Sequence, residues 1–93
     1  MLTIHKYPID LEAGADQTVI MRQGACLLDV QLQNGAVAAW AHVDDARPLV
    51  KRRIVIVGTG HDASKIVGGG YIATVQLRGG FLVLHFFDMG EVV

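Results

Sequence analysis

"RRIVIVGTGHDASKIVGGG", residues 52–70, is either the start of a cofactor-binding unit or only a strand and a turn. An apolar run, Ile54–Val57, ends in Gly58-Thr59-Gly60-His61-Asp62-Ala63, which satisfies the relaxed dinucleotide pattern G-x-G-x-x-G/A. That pattern works only when the glycine turn opens a helix whose N-terminal N–H groups receive a pyrophosphate, ahead of a second parallel strand. After Ala63 only Ser64, Lys65, Ile66 and Val67 precede Gly68-Gly69-Gly70. Four residues do not make a crossover helix, and three consecutive glycines break one. A phosphate loop fails too, because Gly60 and Lys65 lack the intervening glycine and the Ser/Thr directly after the lysine. The stretch reads as a glycine-hinged loop between two β-strands, with an Asp-initiated turn at Asp62.

On either side of this loop, β-branched and aromatic runs broken by Gly, Asn and Asp recur at strand spacing, whereas helical periodicity is hard to find. The expected strands are Leu2–Pro8, Gln17–Arg22, Ala25–Gln33, Ala36–Val43, Lys51–Val57, Tyr71–Arg78 and Phe81–Asp88. Asn34-Gly35 and Gly79-Gly80 are two-residue turns of residues that tolerate positive φ, so each sets the register of a hairpin. In the first, Leu32 faces Val37, Val30 faces Ala39, Leu28 faces Ala41 and Cys26 faces Val43, all on one apolar face. Its reverse pairs Gln31 with Ala38, Asp29 with Trp40 and Leu27 with His42. In the second, Leu77–Leu82, Val75–Leu84 and Ala73–Phe86 make the apolar face, with Arg78–Phe81, Gln76–Val83, Thr74–His85 and Ile72–Phe87 behind it. Two apolar faces that must meet predict an all-β fold, an antiparallel β-sandwich or flattened barrel of about seven strands.

The 93 residues suit a single β domain, residues 1–93, and exclude a two-domain cofactor enzyme. Eight Lys plus Arg against nine Asp plus Glu give no general attraction to nucleic acid or anionic membrane. Apolar residues make up 52 % and charged residues 18 %, an apolar surplus that a small interior does not absorb. A homo-oligomer would cover it. The single Cys26 has no disulfide or zinc partner, which predicts a reducing setting. No apolar run reaches membrane-spanning length and no signal segment is evident, so neither a membrane nor an export role is expected.

The mixed hairpin faces, carrying Asp29, Gln31, Trp40 and His42 on one side and Phe81 and His85 on the other, are the expected partner or ligand surface. Backbone N–H groups around Gly58, Thr59, Gly60 and His61, with Lys65 close by, suit a small anion. Arg47, Lys51, Arg52 and Arg53 form the one basic cluster and suggest, as an alternative, contacts to single-stranded nucleic acid. Alternation works against it, since Lys51 and Arg53 share one face and Arg52 takes the other. No catalytic constellation emerges: Cys26 is expected on the apolar face, and Ser64, His61 and Asp62 are too close in sequence to define a triad. Histidines 5, 42, 61 and 85 lack metal-ligand spacing. No cofactor and no metal are expected, and the chain reads as non-enzymatic.

The motifs "TIHKYPI" (3–9), "QTVIMRQGACLLDVQLQNG" (17–35), "AWAHVD" (39–44), "GTGH" (58–61), "YIATVQL" (71–77) and "GGFLVLHFF" (79–87) together resemble a small uncharacterised family encoded by tailed phages and bacterial prophages. The resemblance covers nearly the whole chain and implies an accessory protein made in the cytoplasm of a bacterial host. The expected function is self-association together with binding of a host or phage protein or a small intracellular ligand. The alternatives are a single-stranded nucleic-acid-binding β-barrel and a minor structural component of a virion.

Overall fold

Seven strands account for most of residues 1–92, which the computed structural model describes; Val93, the last residue of the expected domain, lies outside the described residues. They are β1 (Leu2–Pro8), β2 (Asp16–Arg22), β3 (Cys26–Gln33), β4 (Ala36–Asp44), β5 (Leu49–Gly58), β6 (Gly70–Leu77) and β7 (Leu82–Glu91). One sheet has the order β1-β4-β3 and the other β2-β5-β7-β6, and all strand pairs are antiparallel. The all-β sandwich expected from the hairpin faces is the fold observed. Edge strands β3 and β6 run close together, so the sandwich is drawn shut along one side. Among the described residues, helical geometry is confined to short 3-10 turns, and no helix is long and apolar enough to cross a membrane.

The core follows from alternation. Strand β4 turns Val37, Ala39, Ala41 and Val43 inward and keeps Trp40 and His42 on the other side. The two alanines leave room that large side chains from the facing sheet fill: Phe86 packs in the cluster with Ala39, and Met21 in the cluster with Ala41. Phe86 is fully buried, and burying a side chain of that size contributes about 1.5–3 kcal/mol.

Both hairpins keep the expected register near their turns and lose it further out. In the first, Asn34 and Gly35 adopt φ of 51° and 80°, the geometry of a type I′ turn, and pairing runs as expected from Gln33↔Ala36 to Asp29↔Trp40. A bulge at Leu28 then shifts the strand, so Leu27 faces Ala41 and Cys26 faces His42. Cys26 is therefore exposed rather than packed on the apolar face. One inserted residue sends every later side chain to the opposite face.

The second hairpin behaves alike. Pairing holds from Leu77↔Leu82 to Ala73↔Phe86, and a bulge at Ile72 brings Tyr71, not Ile72, opposite Phe87. Its turn is wider than expected: Arg78, Gly79 and Gly80 all have positive φ. Arg78 and Phe81 are joined by a turn hydrogen bond, Phe81 N to Arg78 O at 3.3 Å, instead of a ladder pair. Phe81 is left 96 % exposed at the tip.

An ion-pair network closes one end of the sandwich. Arg52 points inward and donates from Nε and Nη2 to both Asp88 oxygens, at 2.8 and 2.7 Å, with Glu91 at 3.9 Å. Glu91 in turn accepts from the Gly24 N–H at 2.6 Å, fastening the β2–β3 turn. Burial works to raise the Asp88 pKa, but Arg52 and the Gly90 N–H outweigh it, and the carboxyl is held below its ordinary value.

Candidate functional site

Strand order forces one long connection. Strand β7 lies between β5 and β6, so the chain leaving β5 must cross β7 before it can begin β6. Residues 59–69 make that crossing over the outer surface of the four-stranded sheet. A β-turn starts it: the His61 N–H donates to Gly58 O at 3.1 Å, and Gly60 has φ +83°, the position that favours glycine in a type II turn. Asp62 then accepts from the Ser64 N–H and hydroxyl at 3.1 and 2.9 Å. These two bonds hold its pKa below the usual value, and a 3-10 turn over Ser64–Ile66 follows. Two glycines seat the crossing. A Cβ at Gly58 would lie 2.8 Å from His61 Nδ1, and one at Gly69 would lie 2.4 Å from Met89 Sδ, so a side chain at either position would push its neighbour aside.

Beneath the crossing runs a line of hydrogen bonds. Thr59 Oγ1 lies 2.8 Å from His85 Nε2, His85 Nδ1 lies 2.9 Å from Thr74 Oγ1, and Thr74 Oγ1 lies 2.9 Å from the Tyr71 hydroxyl. Both nitrogens of His85 are thus engaged by hydroxyls. Tyr71 also stacks edge-on against Phe87, centroids 5.8 Å apart. A cavity of about 270 Å³ opens here, between the crossing and Val57, His85 and Phe87. A larger one, about 410 Å³, lies toward β2 and includes Asp16, Asp62 and Lys65. His61 borders both. Asp16 ties the crossing to the sheet, accepting two bonds from Arg53 at 2.9 Å each and pairing with Lys65 at 3.6 Å. Chiefly through Arg53, its pKa is held below the ordinary carboxylate value.

The sequence model of one family, described as Domain of unknown function (DUF7352), matches residues 1–92. The chain belongs to that family. No curated protein and no solved structure matches it significantly.

In this DUF7352 chain the expected surface residues divide between opposite sides of the sandwich. Asp29, Gln31, Trp40 and His42 lie on the outer side of the three-stranded sheet, in cross-strand rows Ile4–His42–Cys26, Lys6–Trp40–Asp29 and Pro8–Ala38–Gln31. Leu2 and Ile4 on this side are 68 % and 56 % exposed. His85 lies under the crossing on the other sheet, and Phe81 at the hairpin tip, so neither joins the Trp40 group.

The expected anion loop, Gly58, Thr59, Gly60, His61 and Lys65, is assembled but partly engaged. The Thr59 N–H donates to Val83 O at 3.3 Å and the His61 N–H to Gly58 O, while Lys65 faces Asp16. The basic cluster does not form one patch. Arg52 is turned into the end of the sandwich and Arg53 is held by Asp16. Arg47 bonds Gln23 Oε1 at 2.7 Å, and Lys51 alone of the four is exposed without such a bond among the described residues. Thr59's partnership with His85 escaped the sequence reading because it depends on β5 lying beside β7. The Thr74–His85 pair, by contrast, was readable in the hairpin register.

Proposed function

We propose that this chain is a non-enzymatic accessory protein of a phage or prophage, acting in the bacterial cytoplasm by self-association and by binding a protein partner or a small ligand. The observation that carries the self-association is the bare outer side of the three-stranded sheet. Ile4, diagonal to the half-buried Trp40, and Leu2, one row further along β1, are exposed there, and exposed apolar side chains near an aromatic residue are typical of association surfaces. A second copy is the favoured first partner, because Leu2 and Ile4 sit on β1, whose outer edge has no strand partner among the described residues and offers unpaired backbone groups. Nucleic-acid binding is not favoured, since Arg52 and Arg53 are already bonded to carboxylates.

Sizing the pure protein across a concentration series tests this reading. The wild type should run as an assembly, and Trp40→Ala combined with Ile4→Ser should run as a monomer. Phe81→Ala, at the far hairpin tip, should leave the assembly intact. A wild type that stays monomeric at every concentration removes the self-association.

A further inference from the structure

We infer that the smaller cavity beneath the 59–69 crossing is a binding site for a small carboxylic acid with an apolar body, of the aromatic or short-chain class. Its walls are apolar, with Val57, Ala63, Ile66 and Phe87, and its polar groups gather at Thr59, His61 and His85. Few polar groups converging in an apolar recess is the common form of small-ligand sites. At about 270 Å³ it falls just under the roughly 300–1,000 Å³ of drug-sized sites, so the ligand is small.

The choice of a carboxylate follows from what the cavity offers. Its lining contains no acidic side chain. The neighbouring carboxylates line the other cavity, Asp16 paired there with Arg53 and Lys65 and Asp62 accepting from Ser64. Within the cavity itself a cationic head would find no acidic side chain to accept from, whereas a carboxylate would meet donors, the Thr59 hydroxyl and the His61 ring. The His61 ring has no hydrogen-bond partner among the described residues, and one of its nitrogens can donate.

The second donor comes from the hydroxyl–imidazole line. When a carboxylate accepts from the Thr59 hydroxyl, Thr59 Oγ1 must accept from His85 Nε2–H. His85 Nδ1 then accepts from Thr74, and Thr74 accepts from Tyr71. All the bonds run toward the ligand, and His85 acts through Thr59 as a positioning residue.

This inference deepens the ligand-binding half of the proposed function, and it fails separately from self-association: a monomer that binds benzoate would leave it standing. The test is titration of the full chain with benzoate, benzyl alcohol and benzylamine, followed by amide NMR. Benzoate should produce saturable shifts in residues 57–66 and 85–87, the alcohol weaker ones and the amine none. Thr59→Val and His61→Phe should each weaken benzoate binding about tenfold, the effect of losing one hydrogen bond to a charged group, while Thr59→Ser should bind as the wild type does. Nitrogen shifts should place the His85 proton on Nε2 in the complex. Should Thr59→Val disturb the fold, His61→Phe, at an exposed position, carries the test. The inference is overturned by an absence of saturable shifts at millimolar benzoate, by equal binding of the amine, by unchanged affinity in the variants, or by a His85 proton on Nδ1.

Discussion

On the four-stranded sheet, Val57, His85 and Phe87 would leave a partly apolar outer side, and the chain's own crossing covers it. On the three-stranded sheet, Leu2, Ile4 and Trp40 leave such a side, and among the described residues no segment lies over it. The difference comes from connectivity more than from composition. Neighbouring strands β3 and β4 are joined by a two-residue turn that has no reason to cross a sheet. Strands β5 and β6, separated by β7, require a connection that does. Apolar residues on an outer side thus have two meanings: where a crossing passes they belong to the fold, and where none passes they remain available for association.

Paired substitutions test that contrast most strongly. Phe87→Ala should destabilise the chain by about 2–3 kcal/mol in urea unfolding, less than the 3–5 of a fully buried phenylalanine. Ile4→Ser should change the stability of the dissociated chain by no more than about 0.5 kcal/mol. Equal costs would mean that the crossing adds nothing to the packing of Phe87.

The Arg52–Asp88 network lies at the end of the shared interior and should weaken both sheets together. Asp88→Asn is expected to cost about 2 kcal/mol, below the 3–5 of a fully buried pair because Glu91 remains beside Arg52. The Asp88 carboxyl has a folded pKa below its unfolded value, so its stabilisation is complete above the unfolded pKa and is lost as pH falls through the folded one. The variant should accordingly show a shallower acid limb in stability against pH.

Acid should also separate the two outer sides. Asp16, likewise depressed, holds the crossing through Lys65, and its protonation releases that tie. Amide hydrogen exchange in residues 59–69 should accelerate more than that in the middle of β1 and β4 as pH drops below the carboxylate range, after correction for intrinsic rates and for the overall loss of stability that Asp88 protonation brings. The smallest effect is expected from Gly58→Ala. It should displace the His61 ring, seen as shifted imidazole resonances, with little change in unfolding midpoint because the ring is exposed.

Much of this architecture was readable from local chemistry. Asn34-Gly35 and Gly79-Gly80 set the registers near their turns, and alternation told β4's inner Val37 and Ala39 from its outer Trp40. The bulges at Leu28 and Ile72 were not readable, because one inserted residue leaves apolar composition almost unchanged while reversing the faces beyond it. That is why Cys26 emerges on the surface. Strand order was equally hidden, and with it the meeting of Thr59 with His85 and the partial cover of Phe87 by the crossing.

The central place of β7 has a consequence for how the molecule is made. During synthesis β5 and β6 both emerge before the strand that lies between them, and neither can acquire its native partner along that edge until residues 82–91 arrive. The four-stranded sheet therefore closes late, and contacts that span long stretches of sequence slow folding. Until then the 59–69 segment lacks His85, Phe87 and Met89 to rest on, so the cavity beneath it is completed only after β7 is inserted.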